Sequence, residues 1–173
     1  MIDQTILANL QSNESFARKV LPFLKSEYFV NLDERYVYET IQSYVDQYNG
    51  LPSKEALRIT VSEATNLNED RFKNVCGVID SLKTGDTDLD WLVDTTEKFC
   101  QDKAIYNAVR ESILVLDGDH KQLDKGSIPD LLSKALGVSF DSNIGHDFLD
   151  DYEERYDYYH RKEEKVEFDL ELF

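Results

Sequence analysis

Apolar residues recur every three or four positions along most of the chain, the spacing of one helix face, and no run alternates at the two-residue period of a strand. Ile2 to Leu10 reads as a short first helix with Ile6, Leu7 and Leu10 inward. Asn13 is placed to cap a second, carrying Phe16, Val20, Leu21, Phe23 and Leu24, which Pro22 bends or shortens because proline has no amide hydrogen to give. Tyr28 and Phe29 mark an aromatic turn. Asp33 reads as the cap of a third helix, with Tyr36, Val37, Ile41, Tyr44, Val45 and Tyr48 on a wide apolar face and Asn49-Gly50 as its stop. Ser53, after Pro52, caps a fourth helix bearing Ala56, Leu57 and Val61. A fifth runs from Glu69 to Lys83, with Phe72, Val75, Cys76 and Ile79 inward and Gly85 at its end.

Leu89 to Leu116 is the longest helical stretch and carries two apolar stripes. Leu92, Val93, Phe99, Cys100 and Ala104 form one; Ile105, Val109, Ile113 and Leu116 form the other. A helix apolar on two sides is either sandwiched or part of an interface, and spacing does not decide which stripe faces a neighbour. Asp117, Gly118 and Asp119 break it. Ser127 with Asp130 resembles a capping box, Pro129 is tolerated in the first turn, and Gly137 ends a helix holding Leu131, Leu132, Ala135 and Leu136. The pattern therefore predicts an all-α fold: a small helical globule over 1–138 ending in a helical hairpin over 89–138. Residues 139–173 follow as a linker and a terminal amphipathic helix.

In that last segment Phe148, Tyr152, Tyr156 and Tyr159 fall on one helix face, at i, i+4, i+8 and i+11, while Asp150, Asp151, Glu153, Glu154 and Asp157 take the other. A single helix cannot bury an aromatic stripe against itself. Either the stripe packs back on the chain's own body, or it docks on another molecule. The linker before it and the polar tail after it favour docking.

Composition narrows the function classes. The chain has 173 residues and a net charge of −16. Eleven acids against four bases from Gly145 to Phe173 supply −7 of that. Nucleic-acid binding rests on neutralising phosphates with Lys and Arg, so tight binding of nucleic acid by this chain is not expected, nor is attraction to an anionic membrane. Cys76 and Cys100 sit in amphipathic patterns as small core residues, with no CxxC spacing, which suits a reduced, intracellular protein. The first residues lack the long apolar stretch of a signal peptide, and no run is long enough to span a membrane.

Candidate chemistry is sparse. Asp86, Asp88, Asp90, Asp94 and Glu97 match five ligand positions of an EF-hand loop, but the sixth position, where a sharp turn needs Gly, is Trp91. Acids at a helix N-terminus, where the dipole favours them, account for the run equally well. His120, His146 and His160 have no metal-ligand spacing. Neither GxSxG nor GxxxxGK[ST] occurs. The residues describe an interaction module without catalytic, cofactor-binding or metal sites. An independent acidic adaptor, or a mimic of DNA, is the alternative reading, and a metal-dependent helical enzyme a weaker one.

Tyr28-Phe29, Tyr36-Val37, Ile41, Tyr44, Gly50-Leu51-Pro52-Ser53 and Leu57 together resemble the N-terminal domain of DnaB-type replicative helicases. The stretch SFDSNIGHDFLDDYEERYDYYHRKEEKVEF, from Ser139 to Phe168, is similar to the linker region of T-even bacteriophage replicative helicases, and the resemblance extends over the whole chain. It implies a collar domain whose hairpins pack between subunits of a ring-forming homo-oligomer and engage a primase. Ile105, Val109, Ile113, Leu116, Leu131, Leu132 and Ala135 would be the hairpin interface. A linker helix at about His146 to Lys162 would dock on the neighbouring subunit's motor domain through Phe148, Tyr152, Tyr156 and Tyr159. ATP and Mg would belong to that motor, which in the family begins where Phe168 to Phe173 lies and is missing from this sequence. The cytoplasm of an infected bacterium is the compartment implied.

Overall fold

The structure is a computed structural model that describes residues 2–64, 67–85 and 87–140. Among these residues there are seven α-helices and no strand. Backbone contacts divide the chain into Met1–Phe140 and Asp141–Phe173, and every described residue lies in the first unit. The terminal helix expected after residue 145, with its aromatic stripe, lies outside the described residues.

Helices α1 (Ile2–Ser12) and α2 (Glu14–Val20) are joined at Asn13, whose side chain accepts from the Phe16 amide at 3.0 Å. Pro22 lies two positions beyond the last residue of α2, which is thereby held to seven residues. Tyr28 closes a short 3-10 turn, and both it and Phe29 are buried. Helix α3 (Leu32–Tyr48) begins two residues earlier than the capping pattern suggests: Asn31, not Asp33, is the cap, accepting from the Asp33 and Glu34 amides. Asp33 sits in the first turn instead and faces Arg71 at 3.7 Å. The third helix ends at Asn49, which adopts the left-handed conformation that asparagine tolerates better than most residues.

Helix α4 (Lys54–Glu63) is capped by Ser53 as its sequence predicts. Helix α5 (Glu69–Ser81) is capped by Asn68 and stops four residues short of Gly85. The reason is Leu82, which takes an extended backbone and buries its side chain in the core. Arg58 of α4 pairs with Asp80 of α5, and Lys54 donates to the Leu82 carbonyl.

Helix α6 (Leu89–Asp117) is 29 residues long, about 43 Å at 1.5 Å per residue. Gly118, at φ 80°, ends it. Helix α7 (Ile128–Leu136) then returns alongside. Ser127 makes no side-chain cap there, contrary to the capping-box pattern; Asp124 instead caps a 3-10 turn at Lys125–Ser127 that runs directly into α7. One core gathers Ile6, Leu7 and Leu10 of α1, Phe16 and Val20 of α2, Val37, Tyr38 and Ile41 of α3, Val75 and Ile79 of α5, and Leu92, Phe99 and Cys100 of α6.

Candidate functional site

The two stripes of α6 have different fates. Leu92, Phe99, Cys100 and Ala104 are buried, and Ala108, Ser112 and Val115 continue that face toward the helix end. Phe99 meets Phe29 with ring centroids 5.9 Å apart. The second stripe stays on the surface. Tyr106, Val109, Ile113 and Leu116 stand at i, i+3, i+7 and i+10, on one side of the buried face, and are 60%, 45%, 51% and 56% exposed. Ile105, one turn before Val109, is half-buried against the core.

Helix α7 extends this surface. Ala135 is buried, where its small side chain lets α7 lie close to α6. Leu131 shares a cavity wall with Glu27 and Glu111, so it turns toward one flank of α6. Leu132 and Leu136 project from the other flank of α7, toward the side that carries Ile105 and Val109. Leu132 is half-buried and Leu136 is 71% exposed. Of the seven hairpin residues singled out in the sequence, then, Val109, Ile113 and Leu116 are open to a partner. Ile105, Leu131 and Leu132 are half-buried, and Ala135 is spent inside the chain. Spacing did not single out Tyr106 for this surface; the signal available was its place three residues before Val109 on the same helix face.

The exit of α7 is fastened down. The Glu97 carboxylate accepts from the Phe140 amide at 3.0 Å, the Ser139 hydroxyl at 3.1 Å and the Gln101 side-chain amide at 3.3 Å. Gln101 in turn donates to the Val138 carbonyl at 3.1 Å. The Phe140 ring, expected to open the linker, stacks on Phe23 at 4.7 Å. The C-terminal end of α7 is thus tied to α6.

The acids at the start of α6 have helix duties. Asp88 accepts from the Trp91 amide at 2.9 Å as the cap, and Asp90 lies 3.7 Å from Lys19. Glu97 is engaged as described above, and Asp86 lies outside the described residues. Among the described residues no group of three or more His, Cys, Asp or Glu is arranged to hold a metal. No described helix is long and apolar enough to cross a membrane. His120 donates from Nε2 to Glu111 at 3.2 Å, while its Nδ1 accepts from the Gln122 and Leu123 amides. Both ring nitrogens are therefore engaged in holding the turn after α6. The four aromatics assigned to linker docking, Phe148, Tyr152, Tyr156 and Tyr159, lie outside the described residues, as do His146 and His160.

No protein-family model matches the chain. Over 177 aligned residues it is 34% identical to the DnaB-like replicative helicase of Enterobacteria phage T4. That similarity takes in 98% of this chain and 37% of the T4 protein, so the chain spans little more than a third of the length of the curated relative it matches. The resemblance to T-even replicative helicases noted for Ser139 to Phe168 thus holds along nearly the whole chain.

Proposed function

We propose that this chain is the non-catalytic, N-terminal part of a phage replicative DNA helicase, and that its work is assembly. The observation that carries this reading is the apolar surface of Tyr106, Val109, Ile113, Leu116 and Leu136, left open on a unit that already has a complete core. Large apolar side chains left exposed along one face of a long helix are a mark of a protein interface. The similarity to a DnaB-like replicative helicase supports a helicase-associated role; in this reading the neighbour is a second copy and the product a ring.

In this reading the collar built from such units also receives the primase. Residues 139–173 act as linker, and Phe148, Tyr152, Tyr156 and Tyr159 dock on the motor of the next subunit. ATP and Mg serve that motor, and this chain holds no cofactor. The unwinding activity belongs to the whole assembly, acting in the cytoplasm of the infected cell during DNA replication.

Energetics favours a ring over an isolated pair. Half-exposed apolar side chains gain about 1 kcal/mol each on burial, so two faces of five residues yield about 10 kcal/mol gross. Association costs of order 4–15 kcal/mol offset most of this. One such contact is weak alone and becomes effective when a closed ring and a docked linker add further contacts.

The linker role is tested by changing Tyr152 and Tyr156 to Ala in a protein that joins this chain to its motor. Sedimentation velocity should then show hexamers giving way to smaller species at lower dilution than in the parent. Unchanged sedimentation would refute the docking role.

A further inference from the structure

On the flank of α6 away from the Val109–Ile113–Leu116 surface, two cavities of about 410 Å³ and about 210 Å³ share Glu27, Asn107 and Glu111 in their walls, and so form one groove along the helix. It runs from Ala104 to Leu114, about 15 Å of helix, which accommodates four or five residues of extended chain. The 3-10 turn at Ser26–Tyr28 and the start of α3 form one bank; α7 and the turn at His120 form the other.

The charge of this groove is opposite to that of the chain. Lys25, Arg35, Arg110 and Lys134 line it against the carboxylates of Glu27 and Glu111, a formal +2 with His120 neutral, in a protein of net −16. Both acids are already engaged: Glu27 lies 4.0 Å from Lys25, and Glu111 accepts from His120. The cations are less spent. Arg35 gives Nε and Nη2 to the Phe29 carbonyl, at 3.1 and 2.9 Å, a partner that fixes the guanidinium without neutralising it. Arg110 and Lys134 have no ion pair among the described residues. Asn107, Tyr28 and Tyr106 also line it, and the rest of the walls are apolar. Val30 and Leu114 stand at one end and Leu131 and Val138 at the other, over a floor of Ala104 and Ala108 that permits close approach.

We propose that this groove is a docking site for a short acidic segment of a partner protein, one that sets an Asp or Glu beside an aliphatic or aromatic side chain. Arg110 and Lys134 take the carboxylates, and an arginine fork suits that anion in particular. Leu114 and Leu131 take the apolar neighbours. Nucleic acid fits less well: it carries a charge on every nucleotide into the field of a −16 protein and offers no apolar side chain to the groove ends. The inference is separate from the assembly reading in its contacts: it uses Arg110, Leu114 and α7 instead of Val109, Ile113 and Leu116, and the two surfaces border one another at Tyr106, which also lines the groove.

The test is a selection of short random peptides on the immobilised full chain, with counter-selection on Arg110→Glu. Arg110 is exposed and unpaired among the described residues, so the variant should keep its thermal midpoint; Lys134→Glu probes the same groove from α7 should that fail. Surviving peptides should carry Asp or Glu next to Leu, Ile or Phe, and either charge reversal should weaken them about tenfold or more. Leu116→Glu, on the other flank and too far along α6 to pair with Arg110, should leave them unchanged. Survivors without acids, an absence of peptides that distinguish the variants, or a single-stranded oligonucleotide whose binding depends on Arg110 in the same way would overturn the proposal.

Discussion

Tyr38 sits wholly inside the globule, where its hydroxyl donates to the Leu24 carbonyl at 2.8 Å and its ring stacks on Phe29 at 4.9 Å. Burial pushes its ionisation well above that of a free tyrosine. The same cause raises Tyr28 to about 12 and the Cys100 thiol to about 12, with nearby acids adding to the effect. All three stay neutral in the fold and ionise more readily once unfolded. Their folded values are the higher ones, so stability is unaffected below about pH 9 and falls as pH rises from there toward 12. Urea titrations across that range should show Cys100→Ala losing stability less steeply with pH than the parent. Equal slopes would mean the thiol is not held neutral by its surroundings. At this scale the sequence was legible where a residue's own chemistry decides its place. Asn13, Ser53 and Asn49 cap and stop their helices as their side chains suggest. It was misleading at the start of α3, where Asn31, two residues before Asp33, accepts from the Asp33 and Glu34 amides and begins the helix earlier. Tyr38 was not singled out although it stands three residues before Ile41 and seven before Val45 on the same helix face; Phe29 and the Leu24 carbonyl receive its ring and its hydroxyl.

At the scale of elements, the pair α6–α7 is the part of the unit on which the interface reading depends. The period of the sequence identified α6 and its two stripes. It left open which stripe is core, because both satisfy the same spacing, and the packing of α2 and α7 decides it. The end of α5 was not legible either: Gly85 looked like the stop, but Leu82 leaves the helix earlier to enter the core. Nor did composition mark Glu97 as a fastening. It resembled a metal ligand, and instead it binds the Phe140 amide and the Ser139 hydroxyl from more than forty residues away. Replacing Glu97 with Ala removes a charged acceptor shared by several donors, which should cost about 1–3 kcal/mol. Hydrogen exchange should then show protection falling in α7 before α4. Loss spread evenly over all helices would mean that Glu97 does not tether α7 specifically.

For the whole molecule, two surfaces on one long helix present opposite chemistries. One flank of α6 is apolar and exposed; the other is a cationic groove in an otherwise acidic protein. An assembly subunit that also recruits a partner needs such a division, because one surface cannot bind a copy and a different protein at once. The aromatic stripe from Phe148 to Tyr159 lies outside the described residues; its period is visible in the sequence, and in the proposed ring it would add a third contact. The resemblance to T-even replicative helicases could be read from the chain because the segment Ser139 to Phe168 is distinctive, whereas the N-terminal helices alone share their pattern with many helical domains. The central claim, that the Val109–Ile113–Leu116 face joins copies of this chain, is tested most directly by sedimentation equilibrium of the parent and of a Val109→Glu, Ile113→Glu double variant. The weak net energy of a single contact places self-association toward millimolar concentration. The average mass of the parent should rise with concentration over that range, while the variant stays monomeric with its helicity intact. A parent that remains monomeric throughout, or a variant that associates as the parent does, would contradict the account.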